Sequence, residues 1–199
     1  MVSEEKQHLA SLYRLSQKKQ LAFALLVFER MLPSLTAFSK DTGFDDSCYL
    51  RARDAAWAAL QNSWDNGIDQ SLNEACLNSA PDTESFSHEL SSQALNAALA
   101  MSDTLEFTLD HHVDHITYVS TLARDSVHLY LSSLSPAVVS SPEEDRKIAE
   151  HPLMQAEVRR QEEDIRFLTG LPDQFDSEIV SALRARASTQ VPLLPAARA

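Results

Sequence analysis

Leu21-Ala22-Phe23-Ala24-Leu25-Leu26-Val27-Phe28 carries no polar side chain on any side. A half-exposed strand would alternate polar and apolar residues, and a surface helix would show one apolar stripe. A segment apolar all round, set in a helical pattern over 17–32, fits a helix enclosed by other helices. It is the expected central helix of a bundle. At 8 residues the run falls well short of the ~20 that span a bilayer, so no membrane is expected as a partner.

Outward from this segment, every further stretch reads as helix. Pro33 lacks an N–H and suits a first helical position, so the pattern predicts a break there and a short restart over 33–40 carrying Leu35 and Phe38, stopped by Gly43. Helices follow over 48–62, capped by Asp46 or Ser47 with Leu50, Ala56, Trp57 and Leu60 inward, then over 69–79 and 93–109. Upstream, Leu9, Leu12 and Tyr13 mark a short amphipathic helix over 4–15. The clearest periodicity spans 111–134, where Val113, Ile116, Val119, Ala123, Val127, Tyr130 and Leu134 recur at steps of three and four.

Ser141-Pro142-Glu143-Glu144 is a capping box with proline at the first helical position, which starts a short helix ending near Glu150. Two more helices are expected over 152–169, ended by Gly170, and over 173–187 with Phe175, Ile179, Val180 and Leu183 inward. Only 3 glycines occur, Gly43, Gly67 and Gly170, each between apolar-periodic stretches, and no segment alternates as a strand would. The expectation is an all-α fold: one domain of about seven to nine helices over 1–187 around a fully apolar central helix, with an irregular tail over 188–199.

Charge and cysteine usage narrow the function classes. The chain holds 17 Lys and Arg against 29 Asp and Glu, a formal net charge of −12. Such a field repels a phosphate backbone, and Arg159-Arg160 and Arg184/Arg186 are interleaved with acids, so nucleic acid is not expected as a partner. Cys48 and Cys76 form neither a C-x-x-C pair nor a secreted framework and read as reduced, semi-buried residues. Met1-Val2-Ser3-Glu4-Glu5 has no basic region leading into an apolar one, and the expected location is the cytoplasm.

Glu29-Arg30-Met31-Leu32-Pro33, then Phe38, Thr42-Gly43-Phe44 and Trp57, with Arg166-Phe167-Leu168 and Leu183-Arg184 further on, resemble the YjaG-like family of bacterial proteins, a group of unknown function. The resemblance extends along most of the chain. It implies an all-helical fold and transfers no activity and no functional residue.

Candidate chemistry must therefore come from the residues themselves. His111 and His115 have the i, i+4 spacing of two metal ligands on one helix face, with His112 between them. At 100° per residue the three rings diverge, His112 falling within the apolar stripe, so a capped helix start competes with the metal reading. Glu-x-x-His occurs only as Glu5-Lys6-Gln7-His8, short of the two copies a di-metal carboxylate bundle needs, and H-E-x-x-H is absent. Glycines at 43, 67 and 170 cannot build a P-loop, a dinucleotide loop or a nucleophile elbow, and no cofactor is expected. Cys48 near a helix start has no histidine close in sequence to act as its base. The acidic run 41–46 lacks the spacing of a calcium loop and reads as a solvated turn.

Glu29 and Arg30 stand out, because they extend the all-apolar helix to a proline, where burial makes an unpaired charge costly. Either they pair with neighbouring helices, or with Trp57 they line a polar pocket. Three functional expectations follow: a non-enzymatic helical interaction module that binds a protein partner or itself; a small-molecule-binding or cryptic enzymatic bundle with its pocket near Glu29, Arg30 and Trp57; and a metal-binding bundle using His111, His112 and His115.

Overall fold

Nine helices account for the order of the described residues, which in this computed structural model are 2–61, 68–134 and 141–195, with side chains from residue 8 onward. Residues 62–67, with Gly67 and the expected end of the helix over 48–62, and residues 135–140 and 196–199 lie outside them. The helices are α1 (Val2–Tyr13), α2 (Gln17–Thr42), α3 (Ser47–Gln61), α4 (Gln70–Asn78), α5 (Ser91–Asp110), α6 (Asp114–Ser133), α7 (Pro142–Glu150), α8 (Pro152–Thr169) and α9 (Ser177–Thr189). No strand occurs among them. The chain is an all-α, single-domain bundle.

The apolar run forms the axis of that bundle. Each of its eight residues, Leu21 to Phe28, is fully buried, and α2 packs on α3, α5, α6, α8 and α9. By length and composition α2 would also pass for a membrane span, yet 78% of its apolar window is covered by the rest of the protein, as a core helix requires. Against the expected break, α2 runs through Pro33 without interruption for 26 residues, about 39 Å. Pro33 sits on the exposed side, while buried Met31, Leu32, Leu35 and Phe38 hold the helix on both sides of it. The stop comes at Gly43, whose φ of 76° lets its N–H reach the Ser39 carbonyl at 2.9 Å.

A second departure lies at the α5–α6 corner. The expected helix over 111–134 begins three residues later, because His111 adopts a left-handed conformation, φ 59°, and closes α5 by donating its N–H to the Phe107 carbonyl. Histidine rarely fills that position, so the usual glycine stop signal is missing from the sequence. Asp110 is the last residue of α5, and its carboxylate accepts the His112 N–H at 2.7 Å. Beyond the corner α6 returns antiparallel to α5, as the cross-pairs Asn96–Ser126 and Asp103–His115 show. Alanines 94, 97, 98 and 100, all buried, let helices approach α5 closely.

Caps fix the remaining starts. Ser141 accepts the Glu144 N–H at 3.2 Å behind Pro142, as its capping box requires. Histidine does the same work at α8, where His151 Nδ1 accepts the Leu153 N–H ahead of Pro152. Asp176 caps α9, which starts at 177 rather than 173 and runs on through Thr189. Over the described residues past it, 190–195, the chain has no regular structure, but Leu193 and Leu194 are buried and the Leu193 N–H bonds the Arg30 carbonyl at 2.8 Å.

Candidate ligand cleft between α1, α2 and α8

Arg30, on the central helix, is fully buried and must find partners for a charge that cannot be shed. Its Nε and Nη2 donate to the two oxygens of Glu157 at 3.1 and 2.9 Å, and Nη1 donates to Asp164 at 2.7 Å and to Gln190 Oε1 at 2.8 Å. Burial works against the Arg30 charge, and the two carboxylates overcome it, holding its pKa above the ordinary arginine value. Asp164 also takes a two-pronged bond from Arg186 on α9 at 3.0 and 2.8 Å. Two guanidiniums and two carboxylates thus close on each other in a sealed set that ties α2, α8 and α9 together.

That set continues toward the surface on the α1 side. Gln161 Nε2 donates to Glu157 at 3.0 Å, the Ser120 hydroxyl donates to Gln161 Oε1 at 2.7 Å, and His8 Nε2 lies 3.1 Å from the same hydroxyl. Since the Ser120 proton points to Gln161, His8 must donate from Nε2. Burial, with Arg124 adding repulsion, pushes the His8 pKa down to about 4, so its ring is neutral near pH 7.

His8 forms one wall of an open cleft of about 570 Å³ bounded by α1, the start of α2 and α8. Leu15 and Ile165 form an apolar floor. Lys19 lies in the wall with its side chain 9% exposed, and its ammonium meets Asp173, itself 71% exposed, at 3.0 Å. Lys19 and Ser16 hold the Asp173 carboxyl below the usual range. Around the rim stand Arg14, Glu162, Arg166 and Thr169. Neither Arg14 nor Arg166 has a side-chain hydrogen bond or ion pair among the described residues. The cleft therefore carries three cations and two anions in a chain whose net charge is −12.

The residues singled out from sequence divide between different places. Glu29 and Trp57 come together: the indole Nε1 donates to Glu29 at 2.8 Å, Arg53 approaches that carboxylate at 3.9 Å, and the Arg184 guanidinium lies 5.4 Å from the ring centroid. A cavity of about 150 Å³ opens beside them, room for a few waters or a small ion. Arg30 turns the other way, into the sealed set.

His111, His112 and His115 do not converge. His111 bonds its own helix end, His112 is 66% exposed rather than inside the apolar stripe, and His115 is held between Asp103 and Asp110 at 3.1 Å each. Among the described residues, no group of three or more His, Cys, Asp or Glu side chains is arranged to hold a metal ion. Both cysteines are buried free thiols, and burial beside Cys48 pushes Cys76 up to about 12.

Sequence reasoning passed over Glu157, Gln161 and Asp164, although their i, i+4, i+7 spacing, continued by buried Leu168, places three polar residues on one inward face of α8. It also missed the cleft, whose residues come from separate segments and share no spacing.

With the geometry in place, comparison with known proteins adds the lineage of the fold. The family model described as a protein of unknown function, DUF416, matches residues 7–191. The crystal structure of a DUF416 family protein from Shewanella baltica OS155, at 1.91 Å resolution, is 22% identical, with a TM-score of 0.80 over 90% of this chain and 92% of that one. No curated protein matches the chain.

Proposed function

We propose, starting from the fact that this chain belongs to the DUF416 family of proteins of unknown function, that it is a small-molecule-binding helical bundle whose ligand sits in the cleft between α1, α2 and α8. One observation carries this reading: an open cavity of about 570 Å³, within the size range of small-molecule sites, whose rim holds two arginines with no partner among the described residues. The narrower kinship with YjaG-like proteins rests on the run 29–33 with Phe38, Thr42-Gly43-Phe44 and Trp57.

The cleft favours binding over catalysis. Its one imidazole is neutral and already donates to Ser120, and the buried thiols lie elsewhere. A thermal-shift screen of a metabolite library on the full chain tests the reading. At least one ligand should raise the Tm, and Thr169→Trp, which fills the cleft from its exposed rim, should abolish that shift. Shifts that survive the Trp variant, or a screen without hits, would count against the cleft.

A second reading, self-association, is favoured by the outer face of α6. Tyr118 is 59% and Leu129 41% exposed, and both lie in line with half-buried Leu122. In this reading a second copy of the chain covers that face. A light-scattering mass that stays near 22.1 kDa at high concentration would remove it.

A further inference from the structure

Resting on the cleft reading, the geometry points to the chemical class of the ligand: we infer that it is a small organic anion, a carboxylate or phosphate monoester attached to an apolar body. The charges available to a ligand decide the sign. Of the five charged side chains lining the cleft, Lys19 and Asp173 engage each other at 3.0 Å, which leaves Arg14 and Arg166 against Glu162 alone. Lys19 still has donors to spare after Asp173 takes one, and its nearly complete burial makes a second acceptor welcome. A guanidinium fork suits both oxygens of a carboxylate or phosphate, and two forks on one rim make such a group the best match.

The apolar body follows from the floor. Leu15 and Ile165 present hydrocarbon at the base of the cleft, while the neutral His8 ring beside them offers no charge to a head group. An amphiphile thus enters tail first and leaves its anion among the rim arginines. A bare inorganic anion would reach the arginines but would leave the floor wetted.

Titration calorimetry on the full chain at low salt separates the possibilities, with octanoate, 1-naphthyl phosphate, inorganic phosphate, octanol and octylamine as probes. Octanoate or 1-naphthyl phosphate should bind one per chain, and Arg14→Ala and Arg166→Ala should each weaken that binding roughly tenfold or more, the worth of a charge-assisted bond. Arg166→Lys should recover part of the loss. Octylamine binding as tightly as octanoate would overturn the inference, and so would acid binding indifferent to both alanine variants or inorganic phosphate matching the phosphate ester. If octanol or octylamine binds while octanoate and 1-naphthyl phosphate do not, and Thr169→Trp removes that binding, the cleft is a site for another ligand class and only the anion inference falls. If no probe binds, both fall.

Discussion

The two polar faces of α8 use the same side-chain types to opposite ends. Glu157, Gln161 and Asp164 are fully buried, the two carboxylates matched charge for charge by Arg30 and Arg186 and Gln161 bonded to Ser120 on α6. About 140° around the helix, Glu162, Arg166 and Thr169 look into the cleft, where Arg166 has no partner among the described residues. A charge removed from water must be paired within the fold, so its capacity is used up by structure. A charge left at a cavity mouth keeps its capacity for something that arrives later. Striking residue chemistry alone therefore does not locate a site; unspent hydrogen-bonding capacity beside open volume does.

The comparison breaks if the sealed face is not structural. Arg30→Ala strands two buried carboxylates and should lower stability by about 3–5 kcal/mol, a Tm loss of about 10–15 °C at this chain length. A chemical denaturation curve like that of the unaltered protein would refute the assignment. Glu29→Ala tests an intermediate case: it leaves the Trp57 N–H, on a residue only 2% exposed, without its acceptor. The expected loss is about 1–2 kcal/mol, read in the same experiment.

A smaller effect separates pairing from mere proximity at the α5–α6 corner. Burial alone would lower the His115 pKa, but Asp103 and Asp110 outweigh it and raise it above the unfolded value, 6.5. Burial also raises Asp103, against the pull of His115, while His112 stacks edge-on nearby and Glu106 adds negative charge. A base whose pKa is higher folded than unfolded contributes stability that is complete below pH 6.5 and lost as the pH climbs through the folded value. The stability advantage of the unaltered chain over His115→Gln, measured as a difference in Tm, should shrink as the pH climbs above 6.5, while His8, lowered to about 4, contributes alike to both. Smallest of all, Arg14→Ala and Arg166→Ala should each change the stability by no more than about 0.5 kcal/mol, since exposed charges with no partner among the described residues hold little together. A large loss from either would make the cleft arginines structural after all.

Most of the fold was legible because periodicity and caps are local. The apolar run over 21–28, the Ser141 box and the Gly43 stop each act within a few residues, and the helices formed where those signals stood. Pro33 and His111 were misread because tertiary context overruled a local rule: packing on both sides carried α2 through the proline, and a histidine took a glycine's conformation. Arg30 was singled out correctly as a charge needing partners, but its partners lie on α8 and α9, and nothing local names them. The cleft was invisible for a plainer reason. His8, Lys19 and Arg166 become neighbours only when three helices pack, and open space leaves no mark on a sequence.

The bond from Leu193 to the Arg30 carbonyl, with Gln190 on its guanidinium, has a consequence for biosynthesis. Arg30 leaves the ribosome early, yet its first carboxylate follows 127 residues later and Gln190 comes 160 residues after it. During translation the central helix therefore waits, hydrated and unmatched at that one position, until residues 157–193 have emerged. Closure is a late event, and released chains truncated before residue 157 should resist proteases far less than those extending past 195.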